Sequence, residues 1–440
     1  MIKKIYIIIA FILFTSCSKK LPLKKDRNNI FNSGDEKNYV TESRIANLAN
    51  QNSDAFSRFY NTKLESSMHH FSYEGKYKLN IAKIIDILPK FSYFNSENGI
   101  ISYKDMLFLA DLKGNVWKIE NNKKIKIFRS KSKKDILFAN LTLYGDKLIL
   151  SDSNGLLVSI DTSDNNKIIW SVQNDKFGFH SGFTIDGIFG YGISKSLELY
   201  KINLETGDII WSTKKQSNDF FDMKKSTIVY PRPVVNGNSI IMFDKNGNVT
   251  ALNKNSGYED FVMQGTAETS ESLSNYALFS HINVGGVLFG GPLYGPFNIV
   301  LENNRTSTLL DIGVNSPIGG SKNFMYFVSN TNDLIAMSIP YAPAIKWTKK
   351  LDNINTQIIP KYLSNGVGYR KNKINWRGPV LINDEIMLIS PFGKAIFVDI
   401  ETGDVKRDIK IPKCIMHAPV VTNDSIYLYS SCNGILYALR

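Results

Sequence analysis

An apolar strand, a tight polar turn that usually holds glycine, and a second alternating strand recur eight times between Gly114 and Gly434. The turns are centred on Gly114, Gly155, Ser196, Gly247, Gly295, Asp333, Gly393 and Gly434, at spacings of 41, 41, 51, 48, 38, 60 and 41 residues. Intervals of about 40–50 residues match four-stranded propeller blades, which bury their sheet faces only by stacking on one another. The chain is therefore predicted to be all-β: an eight-bladed β-propeller of four-stranded antiparallel blades.

Residues 146–172 show how one blade is written. LILSD, a Ser-Asn-Gly turn, LLVSI, a polar turn and KIIWSV follow one another, with the period-two alternation of strands and residues that tolerate positive φ at the turns. The pattern returns at 197–212, 249–261 and 395–407, where Asp161, Asn203, Asn253 and Asp399 close third strands and Thr206-Gly207, Ser256-Gly257 and Thr402-Gly403 make the next turn. Trp170 and Trp211 end two fourth strands. This resembles the tryptophan-docking repeat of quinoprotein-like (PQQ-repeat) propellers, which implies that each ring wedges between neighbouring blades.

The chain stops after the third strand of the last blade, which leaves a sheet edge unpaired. The segment Tyr77–Ile85, just ahead of the first blade, is predicted to supply the missing fourth strand. If the last blade turns about Asn423, Cys414 and Cys432 face each other, and an oxidising compartment then favours a disulfide worth about 3 kcal/mol. Two buried thiols pointing apart are the alternative. His69, His70, His180, His281 and His417 are too scattered for a metal site.

Lys3 and Lys4, an apolar run from Ile5 to Phe14, and Thr15-Ser16-Cys17 open the chain. Such a run is too short to span a bilayer and fits a secretory signal peptide over residues 1–16. Cysteine after small residues resembles the lipobox of bacterial lipoproteins, with Phe14 where that pattern prefers Leu. The resemblance implies a palmitate-bearing lipid anchor on Cys17, and Ser18 implies the periplasmic face of the outer membrane. An ordinary signal peptide with an incidental cysteine is the alternative. Residues 17–76 lack a sustained apolar period and read as a lipidated flexible tether, leaving 77–440 for the propeller.

The formal net charge of +13 suits anionic headgroups or an acidic partner. Lysine is spread along the chain without a dense basic stripe, and a secreted protein is not expected to meet nucleic acid. Two intervals are longer than the rest. The one before Gly247 holds Phe220, Phe221 and Met223; the one before Gly393 holds Tyr362, Tyr369, Arg370, Trp376 and Arg377. Aromatics mixed with arginine are typical interface anchors, so these are the candidate partner-binding residues. For Trp376, beside a Pro-Val strand, plugging a gap between blades is the alternative.

Quinone-dependent alcohol dehydrogenases share the repeat, but their adjacent cysteines are missing and no calcium-ligand set can be matched. No nucleophile elbow, phosphate loop or His-centred triad stands out either. Neither a catalytic residue nor a cofactor is expected. Lipobox, leader, eight repeats and an end on the third strand together resemble the BamB family of outer-membrane assembly lipoproteins. Residues 230–253, 374–404 and 418–439 carry the closest phrases. The resemblance implies a non-enzymatic scaffold, monomeric within a complex, that binds a BamA-like barrel-forming subunit and assists insertion of outer-membrane proteins. Thr227–Arg232 stands where the family places an acidic contact pair, and the pair is absent, so those contacts do not carry over. An envelope-anchored module that binds polysaccharide is the alternative.

Overall fold

The computed structural model describes Met68–His69, Leu79–Asn80 and residues 99–439 apart from connections, the longest of which are 215–231, 264–278 and 352–375. The chain divides into two compact units, residues 1–38 and 39–440, and every described residue belongs to the second.

Among the described residues the strands form eight sheets, and the second and third strands of each flank one of the eight turns. The second sheet has the three strands expected, Lys147–Asp152, Leu156–Asp161 and Lys167–Gln173, preceded by Ala139–Tyr144, and the four pair antiparallel in chain order. The others follow the same meander, which makes the chain an all-β, multi-bladed β-propeller.

Strand alternation explains how the sheets stack. In Met106–Ala110 of the first sheet, Phe108 and Ala110 pack with Leu148, Leu150 and Val158 of the second. Leu107 and Leu109 point the other way, onto Tyr427, Tyr429 and Leu436 of the last sheet. Met387 and Ile389 of the seventh sheet likewise turn to the eighth, whereas Ile386 and Leu388 turn to the sixth. Central strands thus bury both faces and read as continuous apolar runs. Outermost strands are half exposed, as in the alternating pattern of Ala344–Lys350.

Tryptophan docking fixes the stacking order. Trp170, Trp211 and Trp347 stand on fourth strands, and each lies against the glycine of the following sheet's next turn: Gly207, Gly257 and Gly403. These glycines have φ of +81°, +75° and +77°, and an added Cβ would come within 2.7–2.9 Å of the indole. Side-chain oxygens close the same turns. Asn203 accepts from the Glu205 N–H at 2.9 Å, and Asp399 accepts from the N–H groups of Glu401 and Thr402, both at 2.8 Å. The residues noted in the sequence at the ends of third strands are turn caps.

The ring is sealed by the N-terminal segment. Leu79 and Asn80 pair antiparallel with Leu439 and Ala438, as the outermost strand of the eighth sheet, inside the predicted closing segment. Met68–His69, within the stretch read as tether, adds a parallel strand to Leu381 and Ile382 on the innermost strand of the seventh sheet. The last hairpin departs from expectation. Val420 pairs Tyr427 and Val421 pairs Ile426, one residue out of the register that sets Cys414 opposite Cys432, and Ile415 bridges Ser430. Both cysteines lie outside the described residues.

Candidate partner-binding faces

Strand direction decides where the two long connections emerge. Lys214, at the end of the third sheet's outer strand, pairs with Glu198 beside the Ser196 turn, and Lys350 pairs with Asp333. Both connections therefore leave from the propeller face that carries the eight repeat turns. Buried polar groups cap that face from within: the Asp111 carboxylate accepts from the Asn115 N–H at 2.7 Å, Asp152 from the Asn154 N–H at 2.8 Å, and the Ser329 hydroxyl from the Asp333 N–H at 3.1 Å. Their hydrogen-bonding capacity holds turns and gives the face its rigidity.

Phe220, Phe221, Met223, Tyr362, Tyr369 and Arg370 lie outside the described residues. Trp376 and Arg377 require correction: they are 1% and 9% exposed and cannot serve as surface anchors. Trp376 packs in the core between the sixth and seventh sheets, and its Nε1 donates to Asn332 Oδ1 at 2.9 Å. A large ring with one polar hydrogen is satisfied there by burial plus a single acceptor, which is the gap-plugging role.

One interblade contact was not legible in the sequence. The indoles of Trp170 and Trp347 donate to the carbonyls of Leu204 and Ile400 at 3.1 and 3.2 Å. The matching carbonyl for Trp211 is that of Lys254, and it is taken by the Lys201 ammonium at 3.0 Å, leaving Trp211 Nε1 without a partner. Lys201 also lies 4.2 Å from the Phe189 ring centroid, and its burial lowers its pKa while Asp186 opposes that shift. Asp186 itself pairs with Lys254 at 3.0 Å. The signal was a lysine between the apolar residues Tyr200 and Ile202 of the third strand, ELYKIN.

Among the described residues no group of three His, Cys, Asp or Glu side chains could hold a metal ion, and no helix is long and apolar enough to cross a membrane.

Stacked antiparallel sheets, three of them locked to the next by a fourth-strand tryptophan on a turn glycine, define a β-propeller of the quinoprotein repeat type. Residues 111–272 match the family model described as outer membrane protein assembly factor BamB, and the propeller resembles that family. It is similar in fold to BamB from Moraxella catarrhalis, with 13% identity and a TM-score of 0.56 over 82% of this chain and 100% of that one. The computationally designed protein Ika8 aligns at 8% identity and a TM-score of 0.52, over 78% of this chain and 95% of its own. A quinohemoprotein alcohol dehydrogenase from Comamonas testosteroni aligns at 9% identity and a TM-score of 0.49, over 83% and 76% of the two chains. No curated protein matches the sequence.

Proposed function

We propose that the protein is a non-enzymatic scaffold lipoprotein of the outer-membrane β-barrel assembly machinery, anchored through Cys17 on the periplasmic face and binding a BamA-like barrel-forming subunit. The observation that carries this reading is the match of residues 111–272 to the BamB family model, within a propeller that spans the whole of the Moraxella catarrhalis chain. The residue chemistry favours a scaffold over a quinone enzyme. The three cysteines, at 17, 414 and 432, include no adjacent pair, and Asp161, Asn203, Asn253 and Asp399 are committed to turn caps.

Affinity capture of the tagged full-length protein from detergent-solubilised envelopes tests the reading. A barrel-forming subunit should be retained. Phe220→Ser with Phe221→Ser, or Tyr369→Ala with Arg370→Ala, should weaken that retention without lowering the melting temperature. Retention of polysaccharide in place of a barrel protein would replace the scaffold reading with the binding-module one. Loss of folding in either double variant would make those residues core. Radiolabelled palmitate should enter the wild type and not Cys17→Ser.

A further inference from the structure

The outer strand of the first sheet, Lys123–Arg129, reads KKIKIFR and lies in an unusually basic run: seven of the fourteen residues 121–134 are Lys or Arg, and none is acidic. The expectation of evenly spread lysine fails here, and the sheet shows how the charge is displayed. Lys124 turns toward Trp117, its Nζ 3.6 Å from the ring centroid, with Lys126 at 4.6 Å. Lys123, Ile125, Lys126 and Arg129 are exposed, Ile125 by 43%.

Charge pairing sets this rim apart. On the outer strands Ala344–Lys350 and Val405–Lys410, four of six basic side chains meet carboxylates: Lys346 with Glu401, Lys349 with Asp404, Lys406 with Asp399 and Arg407 with Glu385. Among the described residues none of Lys123, Lys124, Lys126 and Arg129 has a carboxylate within salt-bridge distance. Among the described residues the strand thus presents a positive edge without ion pairs, interrupted by an exposed isoleucine. A laterally continuous anionic surface that also accepts shallow apolar insertion meets those terms, and a bilayer is such a surface.

Position supports the same occupant. The first sheet packs against the eighth, whose outermost strand, Leu79–Asn80, is the second of the two N-terminal strands that pair with the ring. On the lipid-anchor reading of Cys17, the segment leading from the anchor meets the seventh sheet first and then closes the eighth, the blade next to the basic rim.

We propose that the Lys123–Arg129 rim of the first blade is a contact surface for an anionic phospholipid bilayer, fixing which side of the ring faces the membrane. The choice of a bilayer over an acidic polymer rests on the anchor reading, so the probe protein is the full-length Cys17→Ser chain, in which any binding is independent of the lipid. Sedimentation with phosphatidylcholine vesicles and with phosphatidylcholine–phosphatidylglycerol vesicles should show binding only to the second, weakening as salt rises. Each basic residue near such a surface contributes roughly five-fold, so K123Q/K126Q/R129Q should bind on the order of 100-fold more weakly at low salt. K167Q/K350Q/K410Q, which removes the same charge from other outer strands, should bind nearly as wild type does.

Equal losses in the two triple variants, or equal binding to both vesicle types, would overturn the proposal. So would tighter capture by polyglutamate or a DNA oligonucleotide than by the charged vesicles. Matching melting temperatures establish that the variants are folded, and K123Q/R129Q, which leaves Lys126 on Trp117, carries the test if the triple variant is not. Failure of palmitate labelling at Cys17 would remove the anchor reading and leave the vesicle result standing by itself.

Discussion

The Ser102 hydroxyl donates to the Val421 carbonyl at 3.2 Å, joining the innermost strands of the first and last sheets across 319 positions of chain. Around that bond, Leu107, Leu109 and Ile119 meet Tyr427, Tyr429 and Leu436, so the seam of the ring is packed as the gap between the first and second sheets is. What distinguishes the seam is its outer edge, held by Leu79–Asn80.

Removal of that edge should be decisive, whereas loss of the single hydroxyl should not. Ser102→Ala is expected to cost about 1 kcal/mol, the usual net worth of one hydrogen bond. A chain beginning at residue 91 should lose its cooperative thermal transition. A soluble remainder that melts sharply would show that the seam closes without the N-terminal strand.

Two glycines with similar backbones separate conformational strain from steric exclusion. Gly145 has φ of +58° and nothing within 4 Å of an added Cβ, whereas Gly403 has φ of +77° and a Cβ there would lie 2.7 Å from Trp347. Gly145→Ala should cost roughly 1 kcal/mol, the left-handed penalty alone. Gly403→Ala should cost about 2–4 kcal/mol, because overpacking against the indole is added. Denaturant melts of the two variants measure the difference, and equal losses would mean that the tryptophan is not held against the turn.

Trp376→Ala should destabilise the protein by about 3–5 kcal/mol, the range for emptying a large aromatic site. It also strips Asn332 Oδ1 of its donor. Unchanged stability combined with weakened retention of the barrel-forming subunit would restore Trp376 as an interface anchor.

Acid sensitivity should trace partly to Asp399. Its hydrogen bond from Lys406, followed by those from the Thr402 and Glu401 N–H groups, holds the carboxyl far below the usual range. A carboxyl depressed in the folded state stabilises above its unfolded pKa, and that stabilisation is lost as pH falls below about 4. Asp399→Asn should therefore flatten the drop in melting temperature below that pH. Parallel profiles for variant and wild type would assign the acid response to other groups.

The hairpin repeat, the turn-closing residues and the closing strand were all legible, because each rests on local chemistry that recurs: alternation, positive φ at Gly155, and the Asn203 and Asp399 caps. The docking role of Trp170 and Trp211 was legible for the same reason. Where long-range placement decides, the sequence was a poorer guide. Trp376 looks like an anchor beside Arg377 until the sixth and seventh sheets are stacked around it. The register between Val420 and Tyr427 shifts by one residue from the value that centres the turn on Asn423, which sequence arithmetic cannot detect. The basic rim was overlooked because its positive residues are diluted by the lysine-rich composition, and only the carboxylate pairing on the sixth and seventh sheets makes the unpaired Lys123, Lys124, Lys126 and Arg129 visible.

The pairing of Leu79 with Leu439 also has a consequence in time. A polypeptide made and exported from its amino end delivers one half of this lock first and the other half last. Until translation is nearly complete the first half has no mate, and premature attachment to the free border of some earlier blade would trap a misassembled circle.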